Sequence, residues 1–252
     1  MAEQTPEVET EQEFVSFGVA EFARLALFDE TPSAARTLAQ LDIDLGGDPA
    51  MLLRAGMSTL AARELIANAG NDSWGPVGVA APVAFACSNA RRWVVMTLQA
   101  PGGDADAFLI LVTDLLSLIV VPRVLGVYKT AALDDEEGVA AAIVEMAESE
   151  LQSTPGSTLM INVEDGSGSV PRTFFVTTGS DANRVLVADT HLVDGEPIEF
   201  RGELSLDDLE ERLTEALDLE SYEPDKASNS ELLGGLTRIK LARAADAEGD
   251  AE

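Results

Sequence analysis

Apolar positions recur at helical spacing from residue 14 to about residue 70. Phe14, Phe17, Phe22, Leu25 and Phe28 punctuate "FVSFGVAEFARLALF", and "SAARTLAQL" (33–41) opens after Thr31-Pro32, a pair suited to a helix start. "PAMLLRAGMSTLAARELIANAG" predicts one or two further helices, with Gly70 as the stop. After "NDSWGP" the spacing shortens to that of strands. "PVAFAC", "RWVVMTLQA", "DAFLILVT" and "LLSLIVVPRVLGVY" are strand-like runs divided by turn residues such as Ser88-Asn89 and "PGGD". "LDDEEGVAAAIVEMAESEL" then returns to helix. Its apolar stripe is Val139, Ile143, Met146, Ala147 and Leu151, and its acids are expected to crowd the first turn, against the positive end of the dipole.

The same order then recurs in shorter form. "STLMINVED" and "RTFFVTTGS" predict a hairpin through "DGSGSVP", and "NRVLVAD" and "EPIEFRGEL" follow as strands. Ser205 and Asp208 have the spacing of a helix cap, and Leu209, Leu213, Ala216 and Leu217 form the buried stripe of a last helix. Several antiparallel strands followed by one helix therefore occur twice, with slight sequence identity between the copies. The predicted fold class is α+β: a central, mostly antiparallel sheet built from two pseudo-twofold-related halves, with helices packed around it. Residues 1–13 read as a disordered acidic tail. Residues 14–221 read as a single domain with halves at about 14–152 and 153–221. Residues 222–252 read as a linker, a short basic segment with Arg238, Lys240 and Arg243, and an acidic tail.

Charge narrows the function. The chain of 252 residues carries 45 acids against 16 bases, a net charge of −29, so nucleic acid and anionic membrane surfaces are repelled. At 46% hydrophobic residues it is nonetheless rich enough to bury a sizeable core. The longest apolar run, "FLILVTDLLSLIVV", is too short to span a bilayer and carries Asp114 and Ser117, so two buried strands meeting near Asp114 are expected instead of membrane insertion. Cys87 is the lone cysteine and reads as a small buried hydrophobe. With no secretory signal in "MAEQTPEVETEQEF", the expected location is cytoplasmic.

The sequence holds few groups suited to catalysis. His191 is the single histidine; Asp189 could orient it, but no Gly-x-Ser-x-Gly elbow supplies a nucleophile. One His and one Cys cannot close a zinc site. Asp42, Asp44 and Asp48 faintly suggest a calcium loop, which fails at Leu53, where a bidentate Glu is required. No catalytic residue, metal or cofactor is therefore expected, and the chain reads as a non-enzymatic binding protein.

Four stretches resemble the EspG-like family of cytosolic chaperones for ESX (type VII) secretion: "AEFARLALFDETPSAARTL", "GMSTLAARELIA", the helix after the first set of strands, and "SLDDLEERLTEAL". The second is similar to a helix ending in a Leu-x-x-Arg-Gly-Leu phrase, with Glu64 where Gly is usual. The resemblance covers most of residues 14–220. It implies a pseudo-twofold sheet with helical subdomains, no cofactor, and a secreted helical protein pair as cargo. On that basis "VAFACSNARRWVVM" is expected to be a long hairpin on the contact surface. Arg91, Arg92 and Trp93 are its candidate partner-binding residues, because Arg and Trp are common interface anchors. The other reading of the same cluster puts Trp93 in the core and leaves the arginines to solvate a turn. The alternative function is an acidic immunity-type protein that neutralises a basic toxin.

Overall fold

The computed structural model describes residues 14–70, 73–103, 105–133, 138–166, 171–179, 184–193 and 196–218; the predicted tails 1–13 and 222–252 lie outside them. A short strand, β1 (Val15–Gly18), runs directly into α1 (Val19–Ala26). Glu21 fixes that junction: its carboxylate accepts the Gly18 N–H at 2.9 Å and pairs with Arg63 at 2.8 Å. α2 (Pro32–Gln40) starts where the sequence predicts, with Thr31 accepting the Ala34 N–H at 3.1 Å and Pro32 in the first turn. α3 (Pro49–Ala62) is capped by Asp48, which accepts the Met51 N–H at 3.0 Å.

Both α2 and α3 end in the same way. The Ile43 and Leu65 N–H groups reach back to the Leu38 and Leu60 carbonyls at 3.0 and 2.9 Å, while those of Asp42 and Glu64 bond Ala39 and Ala61 at 3.2 and 3.1 Å. This is the Schellman pattern, and its left-handed residue is Asp42 (φ 50°) in one helix and Glu64 (φ 57°) in the other. Glu64 thus takes the conformation that explains a glycine in the phrase Leu-x-x-Arg-Gly-Leu. The acidic run 42–48 also has a local explanation: Asp42 ends α2, Asp44 accepts the Gly46 N–H at 2.8 Å, and Asp48 caps α3.

Three segments differ from expectation. Val15–Gly18, expected at helical spacing, is the strand β1. Helix does not continue to Gly70, because the left-handed Glu64 stops it; β2 (Ile66–Gly70) follows and pairs with β3 (Ser73–Pro76) in a small separate sheet. "PVAFAC" is not a strand but part of α4 (Ala80–Asn89). This helix is buried on nearly all sides, so it shows no apolar stripe to betray it. Alanines favour the helical state, and Pro82 falls in the first turn, where its missing N–H is not needed.

The main sheet consists of two four-stranded meanders. The first is β4 (Arg92–Gln99), β5 (Ala105–Val112), β6 (Ser117–Arg123) and β7 (Val127–Ala132), followed by α5 (Val139–Ser153). The second is β8 (Thr158–Glu164), β9 (Arg172–Thr178), β10 (Arg184–Val193) and β11 (Glu196–Ser205), followed by α6 (Leu206–Leu217). The spatial order is β1-β7-β6-β5-β4-β8-β9-β10-β11, antiparallel throughout. β4 lies against β8, so an approximate two-fold axis normal to the sheet passes between them and exchanges the meanders. The expected doubled architecture is present.

The helix starts differ between the halves. α6 has the predicted cap in full: Ser205 Oγ accepts the Asp208 N–H at 3.1 Å, and Asp208 accepts the Ser205 N–H at 3.2 Å. α5 instead begins after Gly138 (φ 107°), and its first turn holds no acid; Asp134 to Glu137 lie outside the described residues.

Two cores occupy opposite faces of the sheet. α5 and α6 cover one face across both meanders, burying Val94, Met96, Ile110, Leu159, Ile161, Phe174 and Val187 among others. α1 to α4 cover the other face, but only over the first meander: Phe17, Trp93, Leu109, Leu111, Leu118, Val120 and Tyr128 are buried beneath them. Within this helical layer α1 and α3 cross at Gly56, where a Cβ would lie 2.0 Å from the Ala20 carbonyl oxygen. Gly56→Ala is therefore expected to cost about 2 kcal/mol. Glu64→Gly is expected to add roughly 0.5–1 kcal/mol by relieving the left-handed residue. Opposite shifts of the denaturation midpoints check both.

Candidate functional site

The residues singled out in the sequence form a connecting element. Trp93 is 3% exposed on the α1–α4 side, and its indole N–H donates to Thr37 Oγ1 at 3.0 Å. Arg92 points to the opposite face, is buried, and donates to the Asp218 carbonyl at the end of α6. Arg91 pairs with Asp114 in the β5–β6 turn. Trp93 thus ties β4 to α2, Arg92 ties it to α6, and Arg91 ties it to the next hairpin. The segment "VAFACSNARRWVVM" is a helix, a two-residue link and a strand, not the hairpin expected, because Ala80–Asn89 is helical.

His191 sits on β10 with Nδ1 3.3 Å from Asp189 Oδ1. Asp189 is fully buried, and its carboxylate is committed elsewhere. Arg172 bonds both oxygens, at 3.1 and 2.8 Å, and Arg212 of α6 donates to Oδ2 at 3.1 Å. Each guanidinium also lies over a ring, Arg172 on Phe174 and Arg212 on Phe200. Burial alone would raise the pKa of Asp189, but Arg172 foremost, with His191 and Arg212, holds it below the ordinary carboxylate value. The cluster clamps α6 onto β9 and β10. Beside it, a shallow cleft of about 660 Å³ runs between the α5 N-terminus and α6, lined by Glu210, Glu211, Glu215 and Asp218. Among the described residues, no three His, Cys, Asp or Glu side chains are grouped to hold a metal ion. No helix among them is long and apolar enough to cross a membrane.

The most distinctive surface lies on the second meander, on the face away from α5 and α6. Strand register places Thr97, Met160, Phe175, Ala188 and Arg201 in one row across β4, β8, β9, β10 and β11. Phe175 is 43% exposed, and Leu186, in the adjacent row beside Thr177, is 49% exposed. The two-fold gives this row an internal control. Val95, Leu109, Val120 and Thr130 form the equivalent row in the first meander. There Leu109, Val120 and Thr130 are 2% exposed or less, under the α1–α4 layer. Among the described residues, no buried residue of β8 to β11 belongs to that layer's core. The border between covered and open halves is marked by Glu164 at the end of β8, held by Arg36 and Gln40 of α2.

The open face was legible only in part. "RTFFVTT" and "RVLVAD" alternate less cleanly than half-buried strands should, with Phe175 and Leu186 standing at outward positions. Which outward positions lack a cover depends on the tertiary arrangement of α1 to α4.

A model described as Semaphorin 4F, immunoglobulin-like domain, matches residues 76–148. In this chain those residues run from the end of β3 through α4 and β4–β7 into α5, within a single sheet and not a two-sheet sandwich. No curated protein matches the sequence. Among solved structures, one described as the Mycobacterium tuberculosis type VII secretion system chaperone EspG5 in complex with a PE25–PPE41 dimer is similar at 11% identity. The TM-score is 0.46, over 82% of this chain and 96% of that one. That is a weak likeness at the level of the fold.

The buried carboxylate yields a test. Asp189→Asn leaves two guanidinium groups without their counter-charge and is expected to cost about 3 kcal/mol at neutral pH. The folded pKa of Asp189 lies below its unfolded value, which is about 3.9. Its stabilisation is therefore complete above that value and is lost as pH falls through the lower folded one. The gap between wild type and variant, followed by chemical denaturation, is expected to hold at neutral pH and to narrow progressively below about pH 4.

Proposed function

We propose that this chain is a non-enzymatic binding protein that seats a helical, apolar partner on the open face of the second meander. One observation carries the reading: Phe175 and Leu186 are exposed on the second meander, whereas Leu109, the equivalent of Phe175, and its neighbour Val120 are buried under helices. The two rows belong to meanders of the same topology. Helices cover the first, so helices are the class of partner that fits the second. Exposed apolar residues grouped on a sheet face are what an interaction surface requires, and a charged rim of Glu199, Arg201 and Glu203 borders them.

The sequence resemblance to EspG-like proteins makes the reading more specific: a cytosolic chaperone that keeps a secreted helical pair soluble before type VII export. Catalysis has no part in it. The buried Asp189 is held chiefly by Arg172 and Arg212, and its place between β9, β10 and α6 fits a structural clamp. The net charge of −29 supports a second reading, an acidic protein that masks a basic toxin.

Salt and one surface variant separate the two. Wild type and Phe175→Asp/Leu186→Asp are used to capture partners from the source lysate at low salt and at about 1 M salt, where surface charges are screened within about 3 Å. The variant is expected to melt close to wild type, since both side chains are exposed. The chaperone reading expects a helical pair that wild type retains at high salt and the variant loses at both. A basic protein, captured equally by both forms and released as salt rises, would overturn it in favour of the acidic mask.

A further inference from the structure

One exposed apolar feature lies away from the open face. The β6–β7 connection, Val124–Gly126, leaves Val124 83% and Leu125 97% exposed. Leu125 and Gly126 are both left-handed, with φ of 62° and 66°. Two left-handed residues in succession make the kind of hairpin turn for which Asn-Gly or Asp-Gly is the usual choice. Gly126 suits its place. A leucine before it is strained, and its side chain gains no burial in return. Folding of a single molecule does not explain that residue.

The tip is also cationic. Residues 115–133 contain no acid in a chain that has 45, and they carry Arg123 and Lys129, both exposed. Ile119 and Val121 of β6 pack toward α5, so alternation puts Arg123 on that face of the sheet. Lys129 stands opposite Val121 in the register and shares the same face.

We propose that this tip docks into a second copy of the chain, in the groove between α5 and α6. Val139, Ala140, Ala141 and Leu217 give the groove its apolar lining, and Glu210, Glu211 and Glu215 border it. Its volume of about 660 Å³ is that of a site able to enclose several side chains. Val124 and Leu125 meet the apolar lining, and Arg123 and Lys129 meet the carboxylates. Copies of a protein with a net charge of −29 repel one another at long range. A cationic tip seated among glutamates is the contact that offsets this repulsion.

The position of the two features makes the contact intermolecular. Arg92 holds the end of α6 and stands opposite Val112, which in turn stands opposite Ser117 at the start of β6. Arg123 ends β6, roughly 20 Å further along the strand. The tip of one chain therefore points away from its own groove. The groove also lies on the sheet face opposite to Phe175 and Leu186, so the contact leaves the open face free for a partner.

Analytical ultracentrifugation of the full chain, from about 1 μM to about 1 mM, tests this. Wild type is expected to self-associate within that range. Leu125→Gly relieves the left-handed residue and removes the apolar tip. Its denaturation midpoint is expected to rise while association weakens about ten-fold. Arg123→Glu and Glu211→Arg are each expected to weaken association, and their equimolar mixture to restore it, because the exchanged charges meet across the contact. Phe175→Asp/Leu186→Asp is expected to associate as wild type does. Wild type that stays monomeric to about 1 mM would overturn the proposal and leave the tip to a different protein. Association that Leu125→Gly leaves unchanged, or a mixture no stronger than its two components, would overturn it as well. Loss of association in Phe175→Asp/Leu186→Asp would place the self-contact on the open face and equally reject the groove.

Discussion

Seven residue pairs between β4 and β8, from Trp93 opposite Glu164 to Gln99 opposite Thr158, join the two meanders into one sheet. The rest of the molecule depends on that register. It sends Val94, Met96 and Leu98 to the same face as Leu159, Ile161 and Val163, so that α5 and α6 can close a single core across both halves. A slip of one residue would turn the second meander inside out, burying Met160 and Asn162 and exposing Ile161. The central position of β4 also makes it a hub. Trp93 bonds Thr37 on one face, and Arg92 bonds the end of α6 on the other.

The helical layers complete this arrangement unequally. α1 to α4 form a cover held together by close approach and charge: Gly56 against Ala20, and Arg63 bridging Glu21 and the ring of Phe17. That cover stops at the Arg36–Glu164 pair. On the other face the Asp189 cluster clamps α6 to the outer strands, using a buried carboxylate with two guanidinium partners. A buried charge of this kind is tolerable only when fully bonded, which ties the position of α6 closely to that of β9 and β10.

Much of this was readable from the chain. The β8–β9 hairpin, the strands β10 and β11, the Ser205 cap and the doubled order of strands and helix all announce themselves through alternation, turn residues and capping chemistry. What escaped did so for physical reasons. α4 is apolar on almost every side, so periodicity could not separate it from a buried strand. β2 follows a helix whose stop is a glutamate in a left-handed conformation, a signal that glycine would have made plain. The cluster at Arg91, Arg92 and Trp93 is prominent in the sequence because its residue types are scarce, yet those side chains face inward or into pairs. The open face, by contrast, is built from ordinary residues, and only the extent of the α1–α4 layer distinguishes Phe175 from Leu109.

That difference bears on how the halves change over evolutionary time. Leu109 and Phe175 occupy equivalent places in the two meanders, but one is enclosed by helices and the other meets solvent. Selection for packing therefore acts on β4, β5 and β6 from both sides and on β8 to β11 from one. Equivalent positions therefore accept different sets of residues. Two halves can thus share one topology while equivalent positions answer to different packing demands.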